Sequence, residues 1–201
     1  MTRKEQAAAT RKRIIEATHD LIAEHGYLNI TVDDIAAACG IGRGTLYNYF
    51  SGKEDILVYI ERGRFQEVWQ MVEDMGLKTE VEKLRQFILI WFQCVHSDNV
   101  NVSKDWHRLA VELKIPSKEN RTHLDDDIDN IAEYFKAAIR SGELREDMPV
   151  LPIAKSIVFS MYGASFYRCS SYTPFDLAAW SQEFVENVLE LYIAPFRMPN
   201  R

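Results

Sequence analysis

The sequence is short of the residues that cross-link a chain or interrupt its regular structure. Its 201 residues include three cysteines, six prolines and nine glycines. Cys39, Cys94 and Cys169 are too few and too far apart for a disulfide framework or a zinc motif, and their odd number is typical of a reducing compartment. The low glycine and proline content argues against long disordered stretches. We therefore expect a folded chain that resides in the cytoplasm.

Long apolar runs are also absent. No run approaches the roughly 20 residues that a helix needs to span a bilayer. Between Met1 and Ala23, charges interrupt every apolar patch, whereas a secretory signal peptide carries an uninterrupted one. The sequence thus predicts a protein that is neither secreted nor embedded in a membrane, and that has no membrane partner.

Motifs for catalysis are missing as well. The sequence contains no glycine-rich phosphate loop, no paired-carboxylate motif and no nucleophile elbow. These absences argue against an enzyme, and nothing in the sequence implies a cofactor. An all-helical enzyme or small-molecule carrier remains an alternative from a different functional class. A gel shift with a specific DNA would discriminate this alternative from a DNA-binding protein.

The chain has no excess of positive charge, since its formal net charge is -6. Residues 1–65 carry nine basic and nine acidic side chains, so the acidic excess belongs to residues 66–201. A neutral segment can bind phosphates when its basic groups share one face, because affinity depends on local charge. Net charge alone therefore neither supports nor excludes nucleic-acid binding.

The pattern that the sequence does contain is helical periodicity. Apolar residues recur three and four positions apart in almost every window, and the alternation typical of strands is not sustained anywhere. The sequence predicts an all-α protein with about nine helices. These are expected at residues 4–25, 31–38, 42–50, 51–75, 80–97, 103–115, 118–141, 152–171 and 174–194.

Three segments have the form of an N-terminal helix cap, in which a hydroxyl is followed three residues later by a carboxylate. They begin at Thr31, Ser51 and Thr173, and the carboxylates belong to Asp34, Glu54 and Asp176. In the third segment, proline stands at the expected first helical position, where its missing N–H has no cost. We expect a helix to begin at each of these segments.

The second and third predicted helices are short and joined by a tight turn, Cys39–Gly42, with two glycines. Gly40 can adopt a positive φ there without a Cβ penalty. Two short helices joined in this way and packed on a longer one are typical of a helix-turn-helix, whose second helix enters the DNA major groove. The alternative is a structural helical hairpin that never contacts DNA.

The second of these helices, Gly42–Phe50, has side chains suited to reading DNA. Leu46 and Phe50 are four residues apart and can both face the core, which leaves the other side of the helix free. Gly44 has no side chain beyond its hydrogen, so it allows the helix to approach the groove closely. The exposed set is expected to comprise Arg43, Gly44, Thr45, Tyr47, Asn48 and Tyr49.

The segment TVDDIAAACGIGRGTLYNYFSGKEDIL, residues 31–57, resembles the DNA-binding signature of the TetR family of repressors. The similarity spans about residues 10–60 and combines the capping Thr31, the glycine turn, Leu-Tyr-x-x-Phe and Lys-Glu at fixed offsets. The resemblance implies that Arg43, Thr45 and Asn48 face base edges. It also implies that phosphates are held by Thr31, Tyr47, Tyr49 and Lys53, although many relatives have histidine in place of Tyr49.

The chemistry of these side chains agrees with the implied roles. Arg43 could donate two hydrogen bonds to guanine, and Asn48 could pair with adenine, each worth roughly 1–3 kcal/mol of base discrimination. Lys53 lies at the start of a helix, where free N–H groups and the lysine charge could bind one phosphate together.

In this family the helices that follow the helix-turn-helix surround an effector cavity. The corresponding part of this sequence is rich in aromatic residues and contains all four tryptophans. We expect a small apolar or aromatic effector of unknown identity, although an aromatic stripe is often plain core. The expected lining is Phe65, Trp69, Trp91, Phe92, Trp106, Phe135, Phe159, Tyr162 and Phe166, with Phe87 and Tyr134 on the same helices.

The last two predicted helices are apolar on more than one side, so each needs two partners. One side can meet the same chain, and the other can meet the same hairpin of a second copy in a twofold four-helix interface. The expected interface residues are Ile157, Met161, Ala164, Trp180, Phe184, Val188 and Leu191.

Six polar residues in the second part are further candidates: His96, Asp98, Asp105, His107, Glu112 and His123. Their spacing matches no metal-ligand motif, so we expect no metal site and a solvated surface for most of them. The acidic run Asp125–Asp129 is expected early in a helix, where negative charge is favourable, and a cationic effector could use it. Nothing near Cys94 or Cys169 indicates a redox switch.

We therefore expect two domains, a helix-turn-helix domain at residues 1–52 and an effector-binding and dimerisation domain at residues 53–201. The expected function is that of a homodimeric repressor that leaves a palindromic operator in double-stranded DNA when an effector binds. An activator, or a regulator without an effector, is not distinguished by the sequence.

Overall fold

The structure is a computed structural model that describes residues 2–112 and 122–199, without the side chains of residues 61, 62, 112 and 123. The described part is helical and contains no strand, which confirms the all-α class. Its helices are α1 Arg3–His25, α2 Val32–Ala38, α3 Arg43–Tyr47, α4 Lys53–Asp74, α5 Glu80–Ser97, α6 Val100–Glu112, α7 His123–Arg140, α8 Val150–Ser170, α9 Leu177–Glu183 and α10 Glu190–Ile193.

The chain divides into two compact units. Unit 1 comprises Met1–Arg64 and Asn99–Leu113, and unit 2 comprises Phe65–Asp98 and Lys114–Arg201. Unit 1 therefore contains α1 to α3, the first part of α4, and α6. The sequence predicts a boundary after residue 52. The observed division falls later, after Arg64, because the start of α4 carries Ile56 and Leu57 into the core of unit 1.

In unit 1, α1 packs against α2 and α6, and α2 packs against α3. The side chains that join these helices are fully or almost fully buried, which is how an amphipathic helix gains most of its stability in a protein. They include Ile14, Ile22, Ile35, Leu46, Phe50, Ile56 and Leu57.

The predicted cap of α2 is confirmed. The Thr31 hydroxyl accepts a hydrogen bond from the Asp34 amide at 3.2 Å, and the Asp34 carboxylate accepts one from the Thr31 amide at 2.8 Å. The hydrogen bonds from the Thr31 side chain and backbone lower the pKa of Asp34. The turn after α2 is also as expected, with Gly40 at a φ of 62°.

Thr31→Ala is expected to lower the free energy of unfolding by about 1 kcal/mol, because α2 loses the side-chain acceptor for an amide at its first turn. Thr31→Ser retains a hydroxyl and is the control, with an unfolding midpoint close to that of the parent. Urea unfolding followed by circular dichroism measures both. Equal destabilisation by the two variants would show that the cap is not the cause.

The other two predicted caps are wrong in detail. At the start of α4, Asp55 rather than Glu54 accepts hydrogen bonds from the Ser51 amide at 3.0 Å and the Ser51 hydroxyl at 3.2 Å. Near residue 174, the helix begins later, at Leu177, because Asp176 is itself the cap and accepts from the amides of the second and third residues beyond it. The proline therefore precedes the helix.

Unit 2 has one large apolar core. Its main packing pairs are α7 with α8, α5 with α9, and α5 with α7. The predicted final helix, residues 174–194, is observed as α9, a π-helical segment Phe184–Leu189 and α10 in direct succession. No described helix combines the length and apolar character that a bilayer span needs.

Helix α6 begins at Val100, three residues before the predicted start, because the Asn99 side chain accepts a hydrogen bond from the Asn101 amide at 2.9 Å. Helix α7 begins at His123 behind a Thr122–Asp125 cap, which is not among the three predicted caps. The predicted helix end at residue 115 and the predicted start at residue 118 lie outside the described residues.

Candidate functional site

The outer face of α3 is the candidate nucleic-acid interface. Leu46 and Phe50 are buried, as predicted, and fix the orientation of the helix in unit 1. The α-helical part is shorter than the predicted Gly42–Phe50, since Gly42 is the N-cap and Asn48 the C-cap. The predicted DNA-facing residues Arg43, Gly44, Thr45, Tyr47 and Asn48 are all exposed.

Two neighbours orient the Arg43 side chain. Its Nη1 lies 3.3 Å from Asp33 Oδ2, and its Nη2 donates to the Tyr47 hydroxyl at 3.3 Å. The hydrogen bond to the Tyr47 hydroxyl and the negative charge of Asp33 raise the pKa of the guanidinium. Arg43 is therefore charged, exposed and held in one direction by α2 and by the next turn of α3.

Lys53, predicted to hold a phosphate, has protein partners in the structure. Its ammonium group donates to the backbone carbonyls of Tyr27 at 2.9 Å and Ile30 at 2.8 Å, and lies 4.3 Å from the centre of the Tyr27 ring. Lys53 thus joins the start of α4 to the segment between α1 and α2. No sequence signal revealed these contacts, and the phosphate contact stays a prediction.

Arg11 is a second residue whose role sequence reasoning missed. From α1, its guanidinium donates to the Tyr59 hydroxyl at 2.6 Å and to the Tyr49 carbonyl at 3.2 Å. It also lies 4.7 Å from the Tyr59 ring centre and 5.2 Å from that of Phe50. Arg11 therefore fixes the end of the helix-turn-helix to α1 and α4, and the half-buried Tyr49 is held partly through its backbone.

In unit 2, two of the predicted pocket residues line a cavity of about 530 Å³ between α4 and α7. Phe65 and Trp69 form its apolar wall together with Tyr134, whose ring centre lies 4.3 Å from that of Trp69. Burial raises the pKa of Tyr134, as do the charges of Glu73 and Glu80. The remaining lining residues are Gln66, Gln70, Glu80, Asn130, Glu133, Ala137 and Arg140.

Other predicted pocket residues belong to packed cores. Trp91, Phe92 and Phe135 are buried in the core of unit 2, and the half-buried Tyr162 donates its hydroxyl to Asp127 at 2.6 Å. Trp106 does not line this cavity, because α6 belongs to unit 1 and this side chain is buried there. The chain segments before and after α6 belong to unit 2, and no sequence signal revealed that α6 itself packs in unit 1.

The two faces of α8 are reversed relative to the prediction. Phe159 and Phe166, predicted to line the pocket, are 52% and 58% exposed. Ile157, Met161 and Ala164, predicted to meet a second chain, are buried in the core of unit 2. The reason is that α8 is apolar all round, so its periodicity does not define an inner face.

The segment from α9 to α10 likewise places some of the predicted interface residues in the core. Phe184, a predicted interface residue, is buried, and Trp180 stacks on it with ring centres 5.0 Å apart. Val188 and Leu191 are 36% and 74% exposed, as a partner-facing position requires. The exposed apolar residues of unit 2 therefore include Phe159 and Phe166 on α8, and Val188 and Leu191 near the end of the chain.

The remaining polar candidates are spread over both units. His96 lies 4.0 Å from Asp176, Asp105 forms an ion pair with Arg108 at 2.9 Å, and burial lowers the pKa of His107. Among the residues that the structure describes, no three His, Cys, Asp or Glu side chains are placed to hold a metal ion. The side chains of the candidates at 112 and 123 lie outside the described residues.

The fold and the exposed face of α3 define an all-helical protein with an N-terminal helix-turn-helix. The model of the tetR family of bacterial regulatory proteins matches residues 14–60. The fatty acid metabolism regulator protein of Bacillus subtilis is 31% identical over 157 residues, which cover 73% of this chain and 76% of that protein. The chain therefore belongs to the TetR family, whose members are transcriptional regulators rather than enzymes.

Solved structures show the same fold. A TetR-family transcriptional regulator from Pectobacterium atrosepticum, 19% identical, covers 100% of both chains with a TM-score of 0.67. The fatty acid degradation regulator FadR from Bacillus halodurans, 22% identical, matches 91% of this chain and 94% of its own with a TM-score of 0.66. The helix-turn-helix and the helical second part are thus shared along the whole described chain.

Proposed function

We propose that the protein is a homodimeric repressor that binds a palindromic operator in double-stranded DNA and leaves it when a small effector binds. The observation that carries this proposal is the face of α3, where Arg43, Thr45 and Asn48 are exposed together while Leu46 is buried beneath them. A DNA-binding protein of this kind acts in the cytoplasm.

Base recognition is assigned to three residues of this face. Arg43 donates two hydrogen bonds to guanine O6 and N7, Asn48 pairs with adenine, and Thr45 contacts a neighbouring base. The phosphates are contacted by Thr31, Tyr47, Tyr49 and Lys53, and these contacts set the register on the duplex without reading sequence. Gly44 keeps the middle of α3 narrow enough to enter the groove.

Dimerisation is assigned to the exposed apolar residues of unit 2. Phe159 and Phe166 lie seven residues apart on α8 and therefore share one face, and Leu191 adds a third apolar side chain from α10. Large apolar side chains exposed in this way favour burial against a second copy. Two copies place two recognition helices about 34–36 Å apart, the distance between successive major-groove faces.

Effector binding is assigned to the cavity between α4 and α7. Trp69 and Tyr134 offer a flat apolar wall, which favours an apolar or aromatic compound. The relative from Bacillus subtilis is named for fatty acid metabolism, so acyl compounds are the first class to screen. Because α4 continues from this cavity into unit 1, a ligand that displaces α4 changes the spacing of the recognition helices.

Selection from a random pool of double-stranded DNA tests the DNA-binding proposal. The parent protein is expected to enrich one palindromic sequence, and native mass spectrometry of the purified protein is expected to give the mass of a dimer. Enrichment of no sequence above the starting pool would contradict the proposal. A monomer mass at every protein concentration would contradict its dimeric form.

Asp33→Ala is expected to raise the affinity for unrelated DNA several-fold at low salt, because it removes a negative charge beside the phosphates. It is also expected to lower the ratio of operator to unrelated affinity, since Arg43 loses one of its two orienting partners. Fluorescence anisotropy with both DNAs measures the two affinities. Asp20→Ala is the control, because Asp20 is an exposed carboxylate of α1, and equal effects of the two variants would contradict a local role of Asp33.

A further inference from the structure

The backbone of Tyr27 is held from both sides by charged groups. Its amide donates to Asp105 Oδ2 on α6 at 2.6 Å, and its carbonyl accepts from the Lys53 ammonium of α4 at 2.9 Å. We call this set of contacts, Asp105 to Tyr27 to Lys53, the Tyr27 bridge. All three residues lie in unit 1. One peptide segment therefore fixes α6 and α4 to the same point of the chain.

The Tyr27 bridge has the properties of a specific contact rather than an incidental one. Both hydrogen bonds involve a charged partner, and such bonds are about twice as strong as neutral ones. The Asp105 side chain is only 16% exposed, and its other oxygen pairs with Arg108. Gly26, directly before Tyr27, has a φ of 79°, a conformation that favours glycine and turns the chain toward Asp105.

The segment held in this way leads directly into the helix-turn-helix. The carbonyl of Ile30 also accepts from Lys53, at 2.8 Å, and Thr31 then caps α2. The position of α2, and of α3 packed on it, therefore depends on where Asp105 and Lys53 hold the segment.

Helix α6 is itself fixed at a second point. The Asn99 side chain, just before α6, donates to the Ala23 carbonyl near the end of α1 at 3.0 Å. In the chain, α6 follows directly on unit 2, whose last residue before it is Asp98. Within unit 2, Arg168 of α8 donates to the Asp98 carbonyl at 3.2 Å. At this point of the chain, Asp98 is therefore held within unit 2, and the next residue, Asn99, is held within unit 1.

We propose that Asp105 is a positioning residue for operator binding. It acts through the Tyr27 amide and sets the position of α2 and α3 without contacting DNA. This inference rests on the proposed function, because it presupposes that α3 reads an operator. It assigns to α6 a part in controlling the DNA-reading face.

The test compares operator and scrambled DNA in fluorescence anisotropy. Asp105→Ala is expected to lower operator affinity about tenfold, the effect of losing one charge-assisted hydrogen bond, and to leave the affinity for scrambled DNA unchanged. Asp105→Asn retains an oxygen that can accept from the Tyr27 amide and is expected to stay within about threefold of the parent. Asp20→Ala removes the same charge from an exposed site of unit 1 and is the matched control.

Amide hydrogen exchange gives a second readout that needs no DNA. The Tyr27 amide is expected to exchange at least about tenfold faster in Asp105→Ala, because its acceptor is gone, and to be unaffected in the control. If Asp105→Ala does not fold, Asp105→Glu keeps the charge, lengthens the side chain by one methylene and is expected to fold with lowered operator affinity.

Three results would overturn the inference. The first is an Asp105→Ala or Asp105→Glu variant that binds the operator as the parent does. The second is an equal loss for operator and scrambled DNA. The third is a folded Asp105→Asn variant as weak as Asp105→Ala. Failure of the parent itself to discriminate the two DNAs would instead contradict the proposed function.

Discussion

Arg43→Ala is expected to lower operator affinity by roughly 1–3 kcal/mol for each half-site, while the affinity for unrelated DNA changes little. The reason is that the guanidinium offers two parallel donors to a guanine and is already oriented by Asp33 and Tyr47. A phosphate contact, in contrast, would weaken binding to every sequence alike. Anisotropy titrations against the selected operator and a scrambled duplex measure the difference.

Arg43→Lys is the matched variant for this prediction. Lysine keeps the positive charge but lacks the planar pair of donors, so it is expected to lose most of the discrimination as well. Lys53→Ala is expected to weaken binding to both duplexes, because its assigned partner is a phosphate. It is expected to weaken operator binding further, because Lys53 also holds the Tyr27 and Ile30 carbonyls ahead of α2. A parental operator affinity in Arg43→Ala, or an equal loss on both duplexes, would contradict base recognition by Arg43.

The second large effect is expected from the exposed apolar residues of unit 2 that are assigned to dimerisation. The double variant Phe166→Glu/Leu191→Glu is expected to be monomeric, because two carboxylates would be buried without partners in the dimer. Operator affinity is expected to fall by about 10²–10⁴, since the second half-site is no longer bound intramolecularly. Sedimentation velocity measures the assembly, and anisotropy measures the affinity.

Both substituted side chains are more than half exposed in the single chain, so the fold of the protomer is expected to remain intact. Tyr172→Glu places one such charge on a fully exposed residue between α8 and α9 and is the control. A double variant that stays dimeric would show that another surface forms the interface. A monomeric variant with parental operator affinity would show that dimerisation is not needed for binding.

Local chemistry explains what could be predicted from the sequence. The hydroxyl of Thr31 and the carboxylate of Asp34 are three residues apart and meet in the predicted cap. The spacing of Leu46 and Phe50 correctly predicted which side of α3 is buried. These features depend on neighbours within one or two turns, and such neighbours are visible in the sequence.

Contacts between distant residues could not be predicted in this way. Lys53 meets carbonyls 23 and 26 residues earlier, and Arg11 reaches a hydroxyl 48 residues later. Only the packing of whole helices decides such contacts. The cap at Ser51 is a local exception, because Asp55, four residues later, accepts from its amide in place of the predicted Glu54.

The faces of α8 were predicted less well because this helix is apolar all round. On α8, alternating faces carry equally apolar side chains, so the exposed Phe159 and the buried Met161 could not be distinguished. The position of Trp106 depends on the packing of α6 with α1, which no local signal indicates. Only Phe65 and Trp69, of the nine predicted lining residues, contact the described cavity between α4 and α7.

The central claim is that α3 reads a DNA sequence. Its most direct test is the ratio of the dissociation constants of the parent protein for scrambled and selected operator duplexes, measured by anisotropy at one physiological salt concentration. Specific regulators typically show a ratio of about 10³ or more, and the same is expected here, with Arg43→Ala reducing it strongly. A ratio near one for the parent protein would contradict the claim.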